Sequence, residues 1–416
     1  MHFGRRPDEG ASSWDRFRPP GFGRSRVWRS PLRGTRLTSV LGMVLLVALP
    51  IVVGTGLLSY VAYGPRFGQA MPAEVGWLRP PLFDWPTRPS WLYRLNQGTH
   101  VLLGLMLVPV VLAKLWSVIP KLFAWPPVTS PARALERLSL LLLVGSVVFE
   151  MVTGVLNVQY YYAFPFSFYT AHYWGAWVFI GSFAAHVALK LPAAVRALRR
   201  RGGDDDLAPR RPAPATMSRR GLLATIAGGS ALIGLVTVGQ TIDGPARRTA
   251  LLSPRYRDGP GPNGFQVNRT AAAAGVAAAS TGPDWRLRLL GGADPVELDR
   301  GQLLALPQRT ADLPIACVEG WSTTQRWTGV PLAELARLAG VPEPDSAHVR
   351  SLETGGAFAA ATLHAGQVLD PDALLALRVN GVDLSADHGF PARVIVPALP
   401  GVHNTKWVAS IAFRRR

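Results

Sequence analysis

One sulfur and three imidazoles carry most of the chemistry in this chain. Cys317 is the only cysteine among 416 residues, so no internal disulfide can form, and oxidising and reducing compartments both stay open on that count. It closes the apolar run Leu313-Pro-Ile-Ala-Cys317 and leads into Val-Glu319-Gly-Trp321-Ser, then Trp327-Thr-Gly-Val-Pro-Leu332. The pattern predicts a strand, a Gly-containing turn and an amphipathic helix over Pro331 to Ala339, with the sulfur at the strand's C-terminal edge, where ligand sites gather. A lone cysteine there is either a small buried hydrophobe or a reactive thiolate.

His100, His172 and His186 fall inside long apolar stretches. Those stretches run roughly from Leu37 to Tyr63, Gly98 to Ile119, Leu138 to Asn157, Phe168 to Leu191 and Leu222 to Ile242. Each is long enough to cross ~30 Å of hydrocarbon at ~1.5 Å per residue. Ionisable groups at such depth are costly, which points to function. The second and fourth stretches run in the same direction, so His100 and His172 sit at similar depth near the outer face. That pairing suits a b-type haem clamped between two imidazoles. His186 follows His172 by about four helical turns, on the same helix face about 21 Å away.

The histidine spacing resembles the dihaem four-helix cytochromes b and the ferric-reductase-like membrane partners of molybdenum reductases. A second ligand pair is incomplete, because Lys114 stands where a partner for His186 would be. One haem b with His100 and His172 as axial ligands is therefore expected, with His186 an alternative ligand or a neighbour of a quinone site. The competing reading has all three histidines bonded to helix carbonyls and water. Lys114 and Lys190 are expected to snorkel to the interface, and Glu150 either gates protons or makes a packing contact.

Loop charge orients the segments. Residues 1–36 carry nine Arg against three acids and predict a disordered basic arm. The arm, the loop with Lys121, Arg133 and Arg137, and the loop with Arg196, Arg199, Arg200, Arg201, Arg210, Arg211, Arg219 and Arg220 should be cytoplasmic. The 65–97 loop is mixed in charge and dissents mildly. The N-terminus is thus expected inside and everything after the fifth segment outside, with no cleavable signal peptide. Ser218-Arg219-Arg220-Gly-Leu-Leu resembles an internal twin-arginine export signal, although paired Arg also fits the positive-inside rule. The formal charge of +18 is weak support for nucleic acid, since only Lys114, Lys121, Lys190 and Lys406 are lysines and the excess is Arg usage.

The Cys317 stretch resembles the molybdenum-binding segment of the sulfite oxidase family, more closely the bacterial branch of protein-methionine-sulfoxide reductase catalytic subunits. The resemblance covers Cys317 to Leu332 and implies that Cys317 ligates molybdenum held by molybdopterin (Mo-MPT), with Glu319 and Trp321 at the entrance. A soft thiolate suits such a metal. The resemblance continues in Asp387-His388-Gly389-Phe390-Pro391-Ala-Arg393 and Gly401-Val-His403-Asn404-Thr405-Lys406. By it, His388, Arg393, His403 and Lys406 hold the pterin phosphate and ring. Phe265 and Asn268 resemble the family's entry segment, which touches the cofactor. Arg326 is near enough in sequence to meet an anionic substrate, or else is merely exposed.

The fold class expected is an all-α membrane bundle of five transmembrane helices followed by a mixed α+β domain. Its divisions are a cytoplasmic arm at 1–36, a four-helix cytochrome b-like domain at 37–192, a linker at 193–221, a fifth helix at 222–242, a tether at 243–282 and the molybdopterin domain at 283–416. Short strands are predicted at Trp285 to Leu290, Leu313 to Glu319, His348 to Glu353, Leu377 to Val379 and Arg393 to Ala398, with a hairpin turn at Asn380-Gly381. Helical pieces are predicted at Arg300 to Leu306, Pro331 to Ala339 and Pro371 to Leu375. The family's further immunoglobulin-like domain is expected to be absent.

Together these imply a membrane-bound molybdenum oxidoreductase of the cell membrane, exchanging electrons with a quinone pool through haem. Its substrate would be a small sulfur-containing molecule or oxidised protein methionine, with reduction at sulfoxide favoured. Sulfite or another substrate delivering electrons to quinone is the enzymatic alternative. A haem shuttle or sensor with a metal-free outer domain is the non-enzymatic one.

Overall fold

The computed structural model describes residues 29–64, 83–123, 128–199, 207, 209, 212–253, 261–356 and 359–415. Most of the basic arm and of the Arg-rich linker, and much of the 65–97 loop, lie outside these. Six long helices come first: α1 (Thr35–Ala62), α2 (Leu92–Met106), α3 (Val108–Leu122), α4 (Pro131–Val158), α5 (Phe168–Arg199) and α6 (Arg219–Val238). Leu107 separates α2 from α3 because Pro109 has no N–H to donate one turn back. Counting Leu92–Pro120 as one stretch, five are long and apolar enough to cross a membrane.

The chain forms two compact units, one of residues 1–50, 106–152 and 173–231, the other of 51–105, 153–172 and 232–416. In the first, Arg33 Nε donates to Trp116 O at 3.2 Å, with the guanidinium 4.5 Å above the Trp116 ring. The Lys114 ammonium donates to Thr38 O, in the first turn of α1, at 2.6 Å. A cation in an apolar bundle takes the nearest carbonyl that its stem can reach. Lys190 pairs with Glu136 at 2.6 Å. The Glu150 carboxylate packs against Gly175 of α5.

The second unit carries the sheet-rich part. One sheet has the order β2-β1-β10-β5-β6, and the other β3-β4-β7-β8 with β9 paired to β7. These strands are β1 (Leu287–Leu290), β2 (Val296–Leu298), β3 (Arg309–Ala316), β4 (Ser322–Pro331), β5 (Ser346–Ser351), β6 (Ala360–His364), β7 (Leu374–Val379), β8 (Val382–Asp383), β9 (Arg393–Ile395) and β10 (Val408–Arg414). Short helices α7 (Arg300–Ala305), α8 (Leu332–Leu338) and α9 (Ala365–Val368) cover the edges. Asp299 and Gln302 close a capping box at the start of α7.

β3 and β4 form one antiparallel ladder, from Arg309 opposite Gly329 to Ala316 opposite Ser322, so residues 317–321 are the loop of a hairpin. Its inner face packs Leu313, Ile315, Trp321 and Trp327 against Leu374, Ala376 and Ile395. Burying such side chains stabilises by roughly 1.5–3 kcal/mol each. The predicted helix over Pro371 to Leu375 does not form. Asp370 Oδ1 instead accepts the Asp372 N–H at 2.8 Å in a turn, and β7 begins at Leu374, whose ladder partner is Ile395.

Candidate molybdopterin site

Cys317 stands at the tip of the β3–β4 hairpin and is 3% exposed. Its N–H donates to Trp321 O at 2.9 Å, and its own O accepts the Gly320 N–H at 3.0 Å. Gly320 has φ +90, a conformation L side chains avoid, so the loop closes there. Glu319 and Trp321 are joined, the indole Nε1 donating to Glu319 Oε2 at 2.7 Å.

Four segments converge on this loop. Pro400 forms a parallel bridge with Ala316, which brings residues 401–405 beside the sulfur. Val394 N donates to Thr405 O, and Val396 N to Asn404 Oδ1 at 2.8 Å, so β9 lies against the same segment. Arg393 is 3% exposed. Its Nη1 donates to His388 O at 3.3 Å, and its guanidinium lies 5.6 Å from the Trp327 ring centre. Burial holds its pKa down at about 9, while the Cys317 sulfur pulls it up, so it is cationic at neutral pH.

His388 stacks on Phe265 with ring centres 3.7 Å apart. Its Nε2 meets Gln266 O at 3.1 Å, and its Nδ1 meets Asn263 Oδ1 at 3.1 Å. In this arrangement His388 clamps the entry segment. Asn268 accepts the Arg269 N–H at 2.9 Å, and Asn263 ties the entry segment down, its Oδ1 accepting the Ser385 N–H at 2.8 Å. An Asn at positive φ beside glycines, in Gly-Pro-Asn263-Gly, was the available signal. Lys406 Nζ donates to Asp387 O at 2.9 Å and to Arg269 O. His403 meets the Tyr63 ring edge-on, centres 5.4 Å apart. Arg326 takes the exposed alternative: it lies opposite Asp312 in the ladder and pairs with it at 3.0 Å.

Among the described residues, six buried polar atoms of the Cys317 hairpin and the segments packed with it have no hydrogen-bond partner: Gln266 Oε1, Ser322 Oγ, Arg393 Nε, His403 Nε2, Asn404 Nδ2 and Thr405 Oγ1. Each such atom costs about 1–3 kcal/mol unless something satisfies it. Donors dominate, a guanidinium is among them, and a soft sulfur is at the centre. That set fits a polar, anionic pterin bearing a thiophilic metal.

In the apolar helices His100 and His172 are brought together, ring centres 6.2 Å apart and nearly perpendicular. Imidazoles at this separation could hold one metal ion between them, with metal–nitrogen bonds of about 2.0 Å. His100 Nδ1 lies 2.9 Å from Val52 O, and His172 Nδ1 lies 3.0 Å from Thr153 Oγ1. Such bonds at Nδ1 orient a ring whose Nε2 serves a metal. At Gly56 of α1 a Cβ would come within 2.9 Å of the His100 ring, so the close approach needs glycine. His186 lies in the other compact unit, within electrostatic reach of Lys114, Lys190 and Glu136.

Comparison with known proteins places the sheet-rich part. Residues 274–416 match the family model described as oxidoreductase molybdopterin binding domain. This portion of the chain is thus a molybdopterin-binding oxidoreductase domain. It is similar to sulfite oxidases: the mitochondrial sulfite oxidase of Drosophila melanogaster is 31% identical over 153 residues, covering 31% of this chain and 27% of the relative. Sulfite oxidase of Gallus gallus is 38% identical over 101 residues, 22% of each chain. The uncharacterized oxidoreductase YuiH of Bacillus subtilis is 32% identical over 133 residues, covering 32% of this chain and 66% of that one. Among solved structures, the sulfane dehydrogenase SoxCD of Paracoccus pantotrophus aligns with 26% identity and a TM-score of 0.30, over 32% of this chain and 39% of that one. The chain spans about a quarter of the length of the two sulfite oxidases.

Proposed function

We propose that this chain is a membrane-bound molybdenum oxidoreductase that exchanges electrons between a quinone pool and an extracytoplasmic molybdenum–molybdopterin centre through haem b. The observation that carries it is the set of six unsatisfied buried polar atoms in the Cys317 hairpin and the segments packed with it. Cys317 would ligate the metal. Arg393, with Asn404 and Thr405 beside it, would hold the phosphate and ring, while His388 and Phe265 fix the entry segment. Bound there, the cofactor supplies two-electron oxygen-atom transfer at sulfur: a sulfoxide, two electrons and two protons become a thioether and water.

The chain's own residues set the conditions. Burial of Cys317 and Trp321 excludes water, and Glu319, hydrogen-bonded to Trp321, is placed to hold a proton at the pocket. His100 and His172 would hold the haem iron, His186 standing outside that pair. Arg-rich loops support a cytoplasmic N-terminus, with the sheet domain on the far side of the membrane. Sulfoxide reduction is favoured because Cys317-Val-Glu319-Gly-Trp321-Ser lacks the arginine of sulfite oxidases. Sulfite oxidation is the second reading, favoured by the names of the relatives.

One experiment separates them. In purified protein with dithionite-reduced haem, methionine sulfoxide should reoxidise the haem, whereas in oxidised protein sulfite should leave it unreduced. The converse pair of results would replace the first reading by the second. A chain without molybdenum would end both and leave a haem shuttle or sensor.

A further inference from the structure

Three side chains from the apolar helices and their ends bind three successive carbonyls of the Cys317 loop. Gln97 Nε2, on α2, donates to Val318 O at 2.5 Å. Gln240 Nε2 and Thr241 Oγ1, in the turn after α6, donate to Glu319 O at 3.4 Å and Gly320 O at 2.7 Å. Ser322 N returns a bond to Gln240 O at 2.8 Å. Gln97 is held in turn by Ser59 of α1, whose Oγ donates to Gln97 Oε1 at 2.7 Å.

The approach is as close as chemistry allows. A Cβ at Gly320 would come within 2.9 Å of the Val101 side chain, and one at Gly98 would overlap Thr241. Val101 follows His100 directly on α2. A hairpin loop of five residues can close on its own bonds, as Cys317, Gly320 and Trp321 do here. Its remaining carbonyls would ordinarily face water. Taking all three with helix side chains removes the loop's freedom and ties the sulfur's position to the helices that carry His100.

We propose that α2 and the turn after α6 form the seat of the Cys317 loop, with Gln97, Gln240 and Thr241 as positioning residues for the thiolate. The Gly320–Val101 contact is the junction at which electrons pass between the outer domain and His100. This second part rests on the haem and molybdenum reading above. Each pass moves one electron and no atom, one centre being oxidised as the other is reduced. Two passes, with quinol as the reductant and two protons from water, supply what a sulfoxide consumes. Hydrogen bonds of this kind fix geometry at modest net stability, so their loss should alter the loop more than the fold.

The test uses the full chain in detergent, comparing Thr241→Val, Thr241→Ser and Gln97→Leu with the parent. Hydrogen exchange of the peptide spanning 313–322 is read alongside metal and haem content, and the rate at which methionine sulfoxide reoxidises reduced haem. In Thr241→Val and Gln97→Leu, exchange at residues 318–321 should rise about tenfold and haem reoxidation slow about tenfold. Thr241→Ser, which keeps the hydroxyl, should match the parent in both. Unchanged exchange in both loss variants overturns the positioning role, and faster exchange with an unchanged haem rate overturns the junction. A parent chain that binds no haem would defeat the functional reading instead, while the exchange data still decide the seat.

Discussion

Arg393 sets the terms at the scale of single residues. A guanidinium with 3% exposure ordinarily has a carboxylate against it, yet among the described residues its neighbours are His388 O, the Trp327 face and the Cys317 sulfur. Leaving a buried cation unopposed costs several kcal/mol, which a bound phosphate would offset. Arg393→Gln should therefore lower retained molybdenum several-fold, measured by elemental analysis, while the cofactor-free protein melts at or above the parent's temperature. A variant that loses stability and keeps its metal would show the charge to be structural. His388 and His403 add a pH dependence. Burial holds both at about 4 against an ordinary 6.5, and at His388 Arg393 adds to that effect. Below 6.5 the unfolded chain takes up protons that the folded one refuses until about 4. Stability therefore falls with pH across that window, by roughly 3 kcal/mol for each group. Melting temperatures of cofactor-free protein should drop from pH 6.5 to 4, and His403→Gln should flatten the drop.

At the scale of elements, the hairpin decides what the sulfur can do, and only half of it was legible. β3 announces itself by its apolar run, and Cys317 was readable as its edge, as was α8 after Pro331. β4 was not: Ser-Thr-Thr-Gln-Arg-Trp327-Thr-Gly-Val-Pro has little alternation, and its strand conformation comes from pairing with β3 and β7. β10 escaped for the same reason, since its partners β1 and β5 lie far away in sequence. The tether read at 243–282 proved partly structural, because Phe265 needs the His388 ring to bury its face. In the helices, His100 and His172 were paired correctly from direction and depth alone, while the Lys114 contact was missed, a carbonyl one helix away leaving no sequence trace. Trp327 is the cross-brace of the hairpin, fully buried, with its Nε1 donating to Leu313 O at 3.2 Å. Trp327→Ala should cost about 3–5 kcal/mol. Denaturant unfolding of the full chain, followed by tryptophan fluorescence, would measure it, and a loss under about 1 kcal/mol would remove Trp327 from this role.

At the scale of the whole molecule, two redox sites are proposed in one polypeptide, and their ligands do not overlap. Cys317 and the 393–405 segments serve one, and His100 with His172 the other. A chemistry that takes two electrons at once at sulfur then meets a relay that carries one at a time, and covalent linkage fixes their stoichiometry at one to one. Independent ligand sets imply independent losses. His100→Ala and His172→Ala should each abolish a low-spin b-type difference spectrum and keep molybdenum near one per chain. Cys317→Ser should do the reverse, and His186→Ala should leave both signals in place. If either histidine variant kept its haem spectrum, the pairing of these two imidazoles would be a packing contact 6.2 Å across and nothing more. If Cys317→Ser kept its metal, the six unsatisfied polar atoms would need another occupant.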